Sequence, residues 1–308
     1  MTEPRCCVTS VSDSGLTRVI DTQALETLFQ DNQVLLQTSN PFTLACITIQ
    51  NLVPPFIQDM SSQSPQRFSI LIYLLDSWHD ICQIATLAMQ LFRHHYCGLL
   101  LVFVLAALSA GAILPWDMIW LHDLQEPHNE ALDHLARQLS FWGDWYTGTL
   151  ILTGCLWLLG LVIRKDMIRR VALGCLMAAL LAGLFGDVFR YGLGRARPNS
   201  GFAEGLYGPS LSSKLHSFPS GHTTTAFGTA VAAGVIYPPV AIPCLILAGG
   251  VAWSRLYLNY HHPSDVLMGG VLGSSFGWIF GVATRRIHRQ GAGNGGIKEI
   301  EGEAGAFD

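Results

Sequence analysis

Six side chains in three short segments have the types and spacing needed to handle a phosphate ester. Arg190 and Arg197 bracket the run RYGLGRARP (190–198), and His222 closes PSGH (219–222). Arg255, His261 and Asp265 fall within SRLYLNYHHPSD (254–265). A phosphoryl dianion needs cations and N–H donors where charge develops during transfer, and the planar fork of arginine pairs bidentately with its oxygens. Gly192 and Gly194 let the chain turn between the first two arginines, and Pro198 biases Arg197 toward an extended backbone. Alone, this segment reads equally well as two arginines snorkelling at a membrane surface.

Ser220 is placed to cap a helix entered at Gly221, where free N–H groups attract anions and glycine permits close backbone approach. His222 at that mouth is suited to protonate a leaving oxygen. A plain helix cap accounts for most of a four-residue match. In the third segment Asp265, four residues after His261, can accept a hydrogen bond from one imidazole nitrogen and leave the other free to attack phosphorus. His262 is the nearest rival, and the spacing to Asp265 favours His261. Isolated, a His–Asp pair at this spacing is more often structural.

The elements that must position these groups are apolar. The 308 residues are 50% hydrophobic and only 13% charged, with a mean hydropathy of +0.36. About 25% charged is usual for soluble domains, so a membrane protein is indicated. The net charge of −4 argues against a nucleic-acid partner. Apolar stretches lie near 96–114, 146–163, 171–189, 223–237, 240–254 and 266–283. They predict an all-α, polytopic bundle of six transmembrane helices, although the fourth and fifth are short against the roughly 20 residues a span needs. The first also has the basic start and small-residue site (Ala110-Gly111-Ala112) of a signal sequence. It is read as a retained span, because its loss would strip one wall from the bundle.

Arg164, Lys165, Arg169 and Arg170 crowd one loop, and Arg285, Arg286 and Arg289 follow the last stretch. The positive-inside rule places both on the cytoplasmic side. The 115–145 loop carries six acidic residues and one arginine, and Trp116, Trp120, Trp142 and Trp145 flank it like an interfacial belt. All three phosphate-handling segments then emerge on the outer face. Leu132, Leu135, Leu139 and Trp142 recur at helical spacing and predict an amphipathic helix there. It serves either as packing over the bundle or as substrate guidance. His122, Asp123, His128 and His134 cluster in the same loop but match no zinc spacing. The eight cysteines lie in apolar runs or near the N-terminus and suggest no disulfide framework. Gly269, Gly273, Gly277 and Gly281 recur every four residues, a strip that permits close helix contact.

Residues 1–88 hold no functional motif, and the apolar run 68–75 is interrupted early by Asp76, His79 and Asp80, as in an interfacial helix. They are expected to form a dispensable N-terminal extension, with Met89 a natural start of translation. The spanning domain would cover 89–289, and 290–308 a disordered tail.

The ordered triple Arg-x6-Arg-Pro, Pro-Ser-Gly-His and Ser-Arg-x5-His-x3-Asp resembles the signature of the type 2 phosphatidic acid phosphatase superfamily, in its bacterial membrane lipid phosphatase type. Bacterial acid phosphatases, glucose-6-phosphatase and vanadium haloperoxidases share that signature. The similarity covers roughly residues 90–285, and it departs at Arg190, where the family usually has lysine. It implies a metal-independent double displacement with no cofactor. His261 would attack phosphorus to give a phosphohistidine, with Asp265 steadying its ring. His222 would protonate the leaving alkoxide and then activate water. Arg190, Arg197, Ser220, Gly221 and Arg255 would hold the phosphoryl oxygens. The implied partners are membrane lipids and a lipid phosphate substrate: phosphatidic acid, phosphatidylglycerol phosphate, a polyprenyl diphosphate or a lipid A phosphate. A lipid phosphotransferase, a non-catalytic lipid-phosphate binder and a haloperoxidase are the other readings.

Overall fold

The fold follows from apolar segments whose backbone groups must be satisfied internally, which in a membrane favours helices. The computed structural model describes residues 69–125 and 129–304. Its α-helices are α1 (Ser69–Ile113), α2 (Asp117–Gln125), α3 (Glu130–Trp142), α4 (Ile151–Ile163), α5 (Asp166–Leu193), α6 (Gly221–Ile236), α7 (Ala241–Tyr257) and α8 (Pro263–Ala304). A π-helical turn, Trp145–Leu150, leads into α4. The described residues contain no strand beyond one isolated bridge between Arg195 and Leu206. The all-α bundle is therefore as expected. These residues belong to the unit Met60–Asp308.

Among the described residues, five segments are long and apolar enough to cross a membrane: Ile70–Leu124, Trp145–Ile163, Asp166–Leu193, Pro238–Tyr257 and Pro263–Gln290. The sequence suggested six. The sixth, α6, has only 16 residues and stands among the other helices rather than qualifying by itself. The last helix runs to Ala304. His128 and residues 1–68, most of the expected extension, lie outside the described residues.

The apolar run near 70 and the stretch near 100 are parts of one 45-residue helix. Asp76, His79 and Asp80 do not end it, because the carboxylates find cations 89 or more residues away. Asp80 is 1% exposed and accepts hydrogen bonds from Arg169 Nε and Arg170 Nε, each at 2.9 Å. Asp76 lies 3.6 Å from Arg169. Nearby, the Tyr73 hydroxyl donates to the Trp157 carbonyl at 2.7 Å, and Trp157 Nε1 donates to Ser77 Oγ at 3.0 Å. The limit at residue 88 thus falls inside α1. Ile84 and Ala88, on one side of it, share a core with Leu91, Leu173, Ala178 and Phe280.

Two helix starts are held together at the end where the motifs lie. The four-residue glycine strip of α8 runs along α6, so the backbones meet without side chains between them. A Cβ on Gly269 would sit 2.7 Å from the Ser220 carbonyl oxygen, and one on Gly273 only 2.2 Å from that of Thr224. Ser220 N also donates to the Asp265 carbonyl at 3.1 Å. This contact brings the PSGH segment to the His261 segment.

Two outcomes are expected from this packing. Gly273→Ala forces α6 and α8 apart and should lower stability by about 1–3 kcal/mol, the usual cost of overpacking, read as the thermal midpoint in detergent. Asp80→Asn leaves Arg169 buried without its nearest carboxylate and should cost about 3–5 kcal/mol. An unchanged midpoint in that variant would show the α1–α5 contact to be dispensable.

Candidate active site

The helices deliver the motif residues to one end of the bundle. α5 ends where Gly194 takes a left-handed conformation (φ 59°), and its N–H caps the Arg190 carbonyl at 3.4 Å. A side chain at Gly194 would strike the Gly208 carbonyl oxygen, so the turn there requires glycine. That turn leaves Arg190 on the last helical turn and sends Arg195 and Arg197 back over the bundle. Backbone bonds from Arg197 N to Lys214 O (2.9 Å) and from Ser217 N to Arg195 O (3.1 Å) pin the loop.

A cavity of about 420 Å³ opens there, and Arg190, Arg197, Gly221, His222 and His261 all line it. Ser220, Arg255 and Asp265, each predicted from sequence, stand buried behind the wall. Asp187, also in the wall, holds Arg190 Nη1 at 2.6 Å. Gly221 packs against the same guanidinium, so that an added Cβ would lie 2.4 Å from Arg190 Nη2. Arg255 donates from Nη1 to Ser140 Oγ of α3 and lies 4.4 Å over the Tyr260 ring. Its Nε is buried with no hydrogen-bond partner among the described residues. Such an orphaned donor fits an anion.

His261 is oriented differently from the sequence expectation. Its Nδ1 lies 2.7 Å from the Ser217 carbonyl oxygen, to which it donates, and 3.8 Å from Asp265 Oδ2, too far for a hydrogen bond. Committing Nδ1–H to a carbonyl leaves Nε2 as the nitrogen with a free lone pair. Asp265 instead accepts from His262 N at 2.8 Å, from Ser217 Oγ at 2.5 Å and from Arg195 Nη1 at 2.5 Å. It also lies 3.1 Å from His262 Nδ1. Spacing to Asp265 therefore does not separate the two histidines, but position does: His261 lines the cavity and His262 does not. Ser220 likewise caps no backbone N–H with its side chain; its Oγ accepts from Thr223 Oγ1 at 3.0 Å.

Arg195 and Asp117 were not anticipated. Arg195 is buried and bridges Asp265 to Asp117 Oδ2 (2.8 Å), with Ser264 Oγ 2.7 Å from its Nη1. Asp117 is fully buried at the start of α2 and also accepts from Ser264 N at 2.9 Å. The one signal in the sequence was a third arginine within RYGLGRARP.

The electrostatics follow from crowding. Burial pushes the Arg197 guanidinium below its ordinary value, and Arg190 beside it adds to the shift. Burial also works against the charge of Arg195, but Asp265 and Asp117 more than offset it and raise its value. His222 is held well below the usual imidazole range by burial, then by Arg255, His261, Arg197 and Arg190. For His261, burial dominates and lowers the ring to about 4 against the pull of Asp265. Below that value the ring charges; above it the ring stays neutral. In a ¹⁵N-histidine NMR titration His261 should thus remain the neutral Nδ1–H tautomer from pH 8 to pH 5. A midpoint near the ordinary 6.5 would contradict this environment.

A helical, multi-pass membrane protein with a cationic cavity lined by three histidines, His216, His222 and His261, is the class these features define. The chain belongs to the PAP2 superfamily, whose family model matches residues 171–289. It is 33% identical over 153 residues to a decaprenylphosphoryl-5-phosphoribose phosphatase of Mycobacterium tuberculosis, covering 47% of this chain and 76% of that one. To a lipid A 1-phosphatase of Rhizobium johnstonii it is 29% identical over 110 residues, covering 35% of this chain and 45% of that protein, less than half its length. The crystal structure of a transmembrane PAP2 type phosphatidylglycerolphosphate phosphatase from Bacillus subtilis aligns with a TM-score of 0.49 at 21% identity, over 63% of this chain and 96% of that one.

Proposed function

We propose that this protein is a membrane-embedded lipid phosphatase that hydrolyses a phosphate monoester or diphosphate through a phosphohistidine. The observation that carries this reading is one cavity lined by Arg190, Arg197, His222 and His261, with Nδ1 of His261 already engaged. His261 Nε2 attacks phosphorus, and the bond to the lipid oxygen breaks. His222 protonates that oxygen, then takes a proton from the water that releases orthophosphate. Arg190 and Arg197 hold the phosphoryl oxygens and Arg255 adds positive charge from behind the wall, with Gly221 giving close backbone approach and Ser220 setting the start of α6. Asp265 acts on His261 through Ser217 rather than directly. Three guanidiniums supply the positive charge a metal ion would bring, so no metal is required.

A lipid substrate is supported by the same cavity's apolar wall. From Arg190 it continues along α5 through Leu184, Gly183 and Leu180 to Ala179, roughly 16 Å of helix. Leu180 and Leu184 are exposed, so a chain lying beside them would remain in contact with bilayer. Names of the relatives above supply two lipid-phosphate classes to test. We place the protein in the cytoplasmic membrane with the site on its outer face, from the arginine-rich 164–170 and 285–289 segments.

Purified protein should release orthophosphate from at least one of phosphatidic acid, phosphatidylglycerol phosphate, a polyprenyl diphosphate or a lipid A phosphate. His261→Ala should abolish release, and His222→Ala should cost about 10²–10⁴ in kcat. Undiminished turnover by His261→Ala would remove that residue from its role. Phosphate appearing on an acceptor lipid, with none free, would make the protein a phosphotransferase.

A further inference from the structure

His222 poses a difficulty that the proposed reaction must solve. A general acid has to carry a proton when the lipid oxygen departs, yet this imidazole faces Arg190 at the end of α5, Arg197 in the following loop, Arg255 on α7 and His261 beyond it. Every one of these disfavours imidazolium, as does burial. Asp187 in the same wall is engaged by Arg190 at 2.6 Å. The remaining carboxylate of the wall is Asp144, between α3 and the π-helical turn. Its Oδ1 lies 3.4 Å from His222 Nε2, and its charge also reaches Arg255.

We propose that Asp144 is a positioning residue for the acid–base histidine: its carboxylate holds the proton on His222 Nε2 that the leaving lipid oxygen takes. The inference rests on the phosphatase reading above and deepens it. In the first step the His261 Nε2 lone pair forms the N–P bond, and the P–O(lipid) electron pair goes to the oxygen. That oxygen takes the Nε2 proton of His222, leaving a neutral ring beside an ionised Asp144. In the second step water attacks phosphorus and its proton passes to His222, restoring imidazolium opposite Asp144 as the N–P bond breaks.

The local fold is suited to this. The other oxygen of Asp144, Oδ2, accepts from Tyr146 N at 3.0 Å and caps the π-helical turn. One carboxylate oxygen is fixed by the backbone, and the second is thereby aimed at His222. A π-helical turn is uncommon and often marks a functional position. In the sequence, Asp144 is one acidic residue among six in the 115–145 loop, with nothing to distinguish it.

Asp144→Asn is a suitable probe, because asparagine keeps the size and capping ability of aspartate while an uncharged NH2 replaces the carboxylate oxygen that faces His222. Two substrates separate a proton-handling role from a structural one. A lipid alkyl phosphate needs its leaving oxygen protonated, whereas p-nitrophenolate leaves without help. Under single turnover, Asp144→Asn should slow lipid phosphate cleavage about 10–100-fold, within the range of general-acid effects, and leave p-nitrophenyl phosphate cleavage within about 3-fold. Without the carboxylate, protonated His222 is less stable, so the alkaline limb of the lipid kcat/KM profile should move to lower pH. Asp144→Glu should restore part of the lipid rate.

Equal losses on both substrates, or no loss on either, would overturn the assignment. So would an alkaline limb that does not move. A wild-type protein that cleaves neither substrate would instead overturn the phosphatase reading itself, and the role of Asp144 with it.

Discussion

Arg195, with Asp117 on one side and Asp265 on the other, joins three parts of the chain that are remote in sequence. All three side chains are almost wholly buried, and a charge left there without its counterpart would be costly. The pairing makes one arginine of the RYGLGRARP run into scaffold. The other two, Arg190 and Arg197, keep their forks toward the cavity. Asp265 in turn fixes His262 and Ser217, and the Ser217 carbonyl sets the tautomer of His261. The wall facing the cavity is thus arranged from behind, by groups that do not line it.

The cations facing the cavity repel one another. The loop that carries Arg197 is pinned by backbone bonds from Arg197 N to Lys214 O and from Ser217 N to Arg195 O, which hold it near Arg190 at the end of α5. On the phosphatase reading proposed above, a phosphoryl group would relieve that repulsion on arrival.

Much of this was legible in the primary structure. Helical class, apolar stretches and the motif triple all follow from residue type and spacing, and Arg190, Arg197, His222 and His261 do meet at one cavity. What escaped depended on partners far away in sequence. Asp80 looked like a helix breaker because its cations, Arg169 and Arg170, lie about ninety positions on. Asp265 was matched to His261 by an i,i+4 rule, but the loop before α8 is not helical, and a backbone carbonyl took the expected role. A carbonyl has no signature in a sequence. Nothing in the sequence separates Arg195 from Arg190 and Arg197; its inward placement shows only in its bonds to the remote Asp117 and Asp265.

The length of α1 has a further consequence. Forty-five residues make a rod of roughly 68 Å, more than twice the ~30 Å hydrocarbon thickness. Tilting within the usual range of up to about 40° does not absorb such an excess, so part of the rod must leave the oily slab. Ile70, Leu71, Leu74 and Trp78 are exposed on its first turns, and apolar side chains of that kind favour the headgroup boundary over open water.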